Sequence, residues 1–292
     1  MATAPGSAVR WLARWPLVWL HRIGDAVGWI AYALSPTYRS RFVANARQAG
    51  LAPAEYKPAI AQAGRLVMEL ALLWMRPDGE SILPLVRWSG DQVILDALAL
   101  GRGVVFLTPH MGCFEVTAQA YAERFAAEYG PITVLFRPAR KAWLRPVIAD
   151  SRIRPGLSTA PATLAGVRQM IRALRRGEAV GLLPDQVPPD GLGVWAPFFG
   201  KPAYTMTLAA RLIEQTGAVP LLAWGERLGG DAGYVVHVSA FPDPVGLASP
   251  IAAEAAGAVN AAMERLIRLR PQQYLWGYHR YKAPARRMPG AD

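Results

Sequence analysis

Residues 103–116, GVVFLTPHMGCFEV, decide how this chain is read. An apolar β-type run ends at Pro109, which disfavours helix at the residue before it, and Gly112 permits a bend. The pattern predicts a strand over 103–108, a turn carrying His110, and a helix opening near 112 with Glu115 in its first turns. On one continuous helix the five steps from His110 to Glu115 would set their side chains about 140° apart, too far round to touch. With a turn between them, Glu115 can accept from one imidazole nitrogen and leave the other as a base for a hydroxyl. The bland alternative is a histidine that merely packs or caps beside an apolar strand.

Histidine is otherwise scarce, with four in 292 residues. His21 lies among tryptophans, His237 in YVVHVSAF and His279 in YLWGYHRYK. His110 is the best candidate for a base. Cys113 is the only cysteine, which rules out an intramolecular disulfide and a cysteine-based zinc cluster. Its place inside the motif invites a nucleophile reading, against which stands the ordinary role of a small buried thiol.

Working outward, apolar runs alternate with helical stretches. The chain reads as helices 37–50 and 54–76, strand 86–90, a helix stopped by Gly101, strand 103–108, helix 112–128, strand 132–136 and helices 141–151 and 162–176. Strand 179–184, helix 205–216, strands 219–228 and 233–241, and helix 250–269 follow. This is the pattern of an α/β fold, a mainly parallel central sheet flanked by helices, with the last strands open to antiparallel pairing. No repeat of 20–50 residues and no low-complexity tract interrupts it. The expected division is an N-terminal helical segment over 1–36, one α/β domain over 37–283 and a short basic tail over 284–292.

In open α/β sheets a site forms beyond the carboxyl ends of the strands. His110, Arg137 and Asp185 each stand just past such an end, and Gln186 follows Asp185. The stretch VWAPFFGKPAYT reads as a loop that sets Lys201 before a helix opening near Thr205 or Thr207, a place able to receive an anion or an acyl thioester. Each of these residues also has an ordinary surface or turn role open to it.

The formal charge of +11 and pI near 10.2 point to an anionic partner: nucleic acid, an anionic membrane surface or a phosphorylated substrate. Only Lys57, Lys141, Lys201 and Lys282 among the 32 basic residues are lysines, and the arginines suit phosphate and carboxylate recognition. No nucleic-acid signature accompanies the charge, so nucleic acid is the weaker reading. Tryptophans 11, 15, 19 and 29 interleave with Arg10, Arg14 and Arg22. The charge-free stretches between them are far shorter than the roughly 20 residues a bilayer span needs. That predicts an amphipathic helix lying in the headgroup region, the alternatives being a packed helix of a soluble protein and a tilted single span.

Six blocks resemble, in order, the lipid A biosynthesis lauroyl/myristoyl acyltransferases of the glycerolipid acyltransferase group. They are HMGCFE (110–115), FRP (136–138), LRRGEAVGLLPDQ (174–186), PFFGKPA (197–203), ARL (210–212) and PQQYLWGYHRYK (271–282). The resemblance implies transfer of a fatty acyl chain from an acyl carrier protein thioester to a hydroxyl of a phosphorylated, acylated disaccharide. It implies no metal or redox cofactor, and a location at the cytoplasmic face of a bacterial inner membrane. Carried onto this chain, His110 is the general base, Glu115 its orienting carboxylate, Arg137 a contact to phosphate or developing charge, and Asp185 part of a later substrate-binding block. The sequence departs from the usual pattern at Cys113, where a polar residue such as Asn is common, and at Val187, where an acidic residue is frequent. Other readings stay open at this point: a related acyltransferase acting on another glycolipid or lipid acceptor, a thioester hydrolase using the same pair on water, and a basic, membrane-tethered binding protein without catalysis.

Overall fold

The computed structural model describes residue 11 and residues 13–77, 79–136 and 154–285. The chain opens with helices α1 (Leu17–Leu34), α2 (Pro36–Gln48), α3 (Pro53–Tyr56) and α4 (Pro58–Met75). Strand β1 (Val86–Ser89) and helix α5 (Asp91–Ala99) follow, then β2 (Val104–Leu107), α6 (Phe114–Tyr129), β3 (Ile132–Phe136) and β4 (Leu157–Pro161). After α7 (Leu164–Arg175) come β5 (Ala179–Leu182), β6 (Gly193–Phe198), β7 (Lys201–Met206), α8 (Leu208–Thr216), β8 (Val219–Arg227) and β9 (Tyr234–Ala240). Short α9 (Pro244–Leu247) and long α10 (Ala252–Leu269) complete the order.

Seven strands form one sheet in the order β1-β9-β8-β2-β5-β3-β4. Every neighbouring pair is parallel except β8 with β9, which gives the mainly parallel sheet that the alternation predicts. Side chains on a strand alternate between faces, and the fully buried strand β2 feeds both. Val104 and Phe106 join Val116, Tyr121 and Phe125 of α6 in one core, whereas Val105 and Leu107 join Met170, Leu212 and Met263 of α7, α8 and α10 in another. Burial on both faces is why the run reads as continuously apolar.

Three details differ from the sequence reading, and a fourth expectation falls outside the described residues. The expected helix 54–76 is broken into α3 and α4 at Pro58, the first residue of α4, whose ring supplies no N–H for an upstream turn. The stretch read as a loop is the antiparallel hairpin β6–β7, with Phe198 opposite Lys201. Its two turn residues, Phe199 and Gly200, have φ of 46° and 74°, the positive values a tight two-residue hairpin needs. Strand β4 had no expectation attached to it. The predicted helix 141–151 lies outside the described residues.

Helix α1 is held against α4 by close backbone approach. Gly24 and Gly28 on α1 face Gly64 on α4, and a Cβ at Gly64 would collide with the Gly24 carbonyl oxygen. Arg65 donates to both Asp25 oxygens, at 2.5 and 2.8 Å, beside this crossing. Among the described residues no helix is long and apolar enough to cross a membrane.

Candidate active site

Strands β2 and β5 pair in parallel with Leu107 opposite Leu182, and the backbone N–H of Thr108 donates to the Leu182 carbonyl at 3.0 Å. Followed for three more residues, the same offset brings His110 opposite Asp185. Asp185 Oδ1 accepts from His110 Nδ1 at 2.6 Å, and Oδ2 accepts from the His110 backbone N–H at 2.9 Å. The Gln186 amide meets Nε2 at 2.9 Å, and the ring rests edge-on against Phe114. With its proton on Nδ1, donated to Asp185, the imidazole keeps a lone pair on Nε2; the tautomer follows from these partners. Both ring nitrogens are therefore engaged, and the carboxylate on the ring is Asp185.

Glu115 stands in the first turn of α6, as the spacing predicts, and accepts from Trp74 Nε1 at 3.4 Å. It shares a cavity wall with His110, and the carboxylate hydrogen-bonded to the His110 ring is that of Asp185. Continued past the strand ends, the β2–β5 offset brings residue 185 across from residue 110, while α6 carries residue 115 on past the turn.

Asp185 is buried, 1% exposed at its side chain. Burial alone would raise its pKa, but the charge and hydrogen bonds of His110, with the Arg280 charge behind, bring it below the ordinary carboxylate range. Tyr274 lies on the same side, its phenol pushed well up by burial first and then by the Asp185 charge. The Arg280 guanidinium donates to the Tyr204 carbonyl and to Thr205 Oγ1, both at 2.7 Å. Thr205 is thus a buried residue of β7 engaged by Arg280, and of the two openings expected for the next helix it is Thr207 that stands at the N-cap of α8. Lys201 sits on the hairpin turn, 4.9 Å from the centre of the Tyr281 ring and outside the cavity wall. Arg137 lies outside the described residues.

The turn that presents His110 is clamped from below. Gly112 takes φ of 57°, donates its N–H to the Gln273 carbonyl at 2.9 Å, and accepts from the Arg227 guanidinium at 3.0 Å. Arg227 in turn grips both oxygens of Glu69 on α4 at 2.5 Å and reaches Gln62 at 2.7 Å. Glu69 also bonds His21 of α1 at 2.8 Å. Burial would raise Glu69, but the Arg227 and His21 partners hold it down to about 2. Nothing in the sequence signalled this network; Glu69 and Arg227 are separated by most of the domain. Cys113 packs beside it, fully buried, with its thiol pushed well up by burial and then by Glu69, so it is not a thiolate nucleophile.

His21 and His237 also bond carboxylates, Glu69 and Glu226, both at 2.8 Å. What sets His110 apart is the space beside it. A cavity of about 300 Å³ runs between α6 and the sheet, with His110, Glu115 and Gln186 in its wall and Phe106, Tyr121, Ile132, Val134 and Val236 among its apolar lining. A histidine in the wall of a largely apolar chamber fits chemistry on a group that carries a hydrocarbon chain.

The bacterial lipid A biosynthesis acyltransferase family matches the chain over residues 7–283. The chain belongs to this family. Among its relatives is the lipid A biosynthesis lauroyltransferase of Escherichia coli K12, 26% identical over 232 residues that cover 77% of this chain and 71% of that protein. The lipid A biosynthesis palmitoleoyltransferase of the same organism is 25% identical over 223 residues, covering 75% of this chain and 68% of its own. A lipid A biosynthesis acyltransferase of Shigella flexneri matches to the same extent.

Proposed function

We propose that this protein moves a fatty acyl chain from an acyl carrier protein thioester to a hydroxyl of a phosphorylated, acylated disaccharide, the lipid A precursor. The observation that carries the reading is the His110–Asp185 pair at the edge of the apolar cavity. Nε2 of His110 removes the proton from the acceptor hydroxyl as its oxygen attacks the thioester carbon, and Asp185 stabilises the resulting imidazolium. The acceptor hydroxyl takes the place at Nε2 that the Gln186 amide now fills. Collapse of the tetrahedral intermediate expels the carrier thiolate, which leaves with the proton from His110, and the new ester remains on the sugar. The Gln186 amide and the N-terminal turn of α6 supply the polarity that favours the oxyanion, and Arg137 is the further expected contact to developing charge. Glu115, in the same cavity wall, is the competing candidate for the carboxylate of a His/Glu dyad.

The face of α1 that turns away from α4 supports contact with a membrane. Trp19, Trp29 and Leu34 are 51%, 48% and 78% exposed, and Arg22 stacks over Trp19 at 4.9 Å. A helix apolar on both faces, with tryptophan outermost, belongs at a headgroup interface. The site is accordingly assigned to the cytoplasmic face of the inner membrane, the protein lying on the bilayer. The test is the lipid A of a strain lacking the gene, analysed by mass spectrometry. It should lack one acyl chain, and the gene carrying His110→Ala should fail to restore it. Full acylation in the deletion strain would overturn the assignment.

A further inference from the structure

A cluster of basic side chains gathers around the segment that follows α10. Helix α2 packs on residues 276–282: Asn45 Nδ2 donates to the Trp276 and Tyr278 carbonyls at 2.7 and 2.6 Å, and the Tyr38 ring presses on Gly277. Arg41 falls between these two contacts on one helical face, about 60° and 40° round from them. From the other side, Lys201 stands over the Tyr281 ring at 4.9 Å and Lys282 over the Tyr278 ring at 5.5 Å. Burial first, and then the positive charges of Arg41, Lys282 and Lys201, lower the pKa of His279. Among the described residues no carboxylate forms an ion pair with Arg41, Lys201 or His279.

The cluster is tied to the catalytic centre through a short path. The Tyr278 hydroxyl accepts from the backbone N–H of Val187 at 2.9 Å, and the neighbouring Gln186 touches His110. Assembling like charges costs free energy in the empty protein, a cost offset when an anion binds among them. Arginine and lysine donors supply the geometry that phosphate oxygens accept.

We propose that Arg41, Lys201, His279 and Lys282 form a phosphate seat for the acceptor, holding its anionic headgroup while the hydroxyl reaches His110. This rests on the acyl-transfer reading for what the phosphate belongs to, though not for the seat itself.

Two arms test it with the full chain in detergent. In the first, binding of a deacylated, phosphorylated disaccharide and of its phosphate-free counterpart is measured by calorimetry. Wild type should prefer the phosphorylated sugar by about tenfold or more, and Arg41→Gln/Lys282→Gln should lose that preference. Arg41→Lys/Lys282→Arg should keep most of it. In the second arm, the Gln double variant should raise KM for the phosphorylated acceptor with kcat and donor KM unchanged. Equal binding of both sugars by wild type would overturn the seat. So would a Gln double variant that loses phosphatidylglycerol vesicles while its acceptor affinity stands, which would make the cluster a bilayer contact. Preference for the phosphorylated sugar without any acyl transfer would support the seat and remove the proposed chemistry instead.

Discussion

Asp185→Asn is the substitution that most sharply separates the two carboxylates of the site. Asp185 accepts twice from His110, once from the ring and once from the backbone, at 2.6 and 2.9 Å. Asparagine has the same shape but one acceptor. If its oxygen stays on the backbone N–H, its NH2 faces Nδ1, and the imidazole must move its proton to Nε2 to accept there. The lone pair needed by the acceptor hydroxyl is then gone. The expected loss in kcat is on the order of 10³- to 10⁴-fold, the scale seen when a histidine base is held in the wrong tautomer. Stability should fall by only about 1–3 kcal/mol, because one hydrogen bond and one charge contact with Arg280 are weakened in a buried site. The assay is the initial rate of acyl transfer, paired with a thermal melt to show that the variant is folded, and with Glu115→Gln as comparison. Glu115→Gln should cost far less than Asp185→Asn. A folded Asp185→Asn within about threefold of wild type, beside a Glu115→Gln that falls by the larger factor, would return the orienting role to Glu115 and refute the reasoning.

Other expectations concern the scaffold. Glu69 is held at about 2 against an ordinary 4.5, so its contribution to stability is complete above about pH 4.5 and is lost as pH falls toward 2. Acid titration of the melting temperature should therefore be flatter in Glu69→Gln than in wild type, and equal slopes would contradict the assignment. Arg227→Lys keeps the charge but not the forked contact to Glu69, Gln62 and Gly112, and kcat should drop by about tenfold as the His110 turn loosens. An unchanged kcat in the folded variant would remove the clamp from the account. Gly64→Leu puts a side chain into the α1–α4 crossing and should cost about 1–3 kcal/mol or more in chemical denaturation. Trp19→Ala/Trp29→Ala should weaken binding to anionic vesicles with little change in melting temperature, since both rings are exposed; undiminished sedimentation with vesicles would count against the membrane face.

The strand-and-helix frame was legible in the sequence because β2 and β5 are short apolar runs bounded by turn residues, and burial on both faces leaves no polar alternation to confuse them. Strand β3 was readable at its exact ends for the same reason. The hairpin β6–β7 was not, since its turn relies on a phenylalanine with positive φ, which composition does not announce. At the site, His110, Asp185 and Gln186 were each recognisable as polar groups past strand ends. Their mutual contact was not, because it depends on β2 and β5 being neighbours and on Leu107 meeting Leu182, and register cannot be read from one strand alone. The closeness of Glu115 in sequence pointed to it as the partner of His110, and the hydrogen bond from the ring to Asp185 comes from a segment 75 residues further on. Long-range pairs such as Glu69 with Arg227 leave no local trace at all.

Purified protein given an acyl carrier protein thioester and the phosphorylated disaccharide precursor tests the central claim most directly. Mass spectrometry should show one acyl chain added to the precursor by wild type and none by folded His110→Ala. Thioester consumed at full rate with no gain in acceptor mass, or undiminished transfer by His110→Ala, would contradict it.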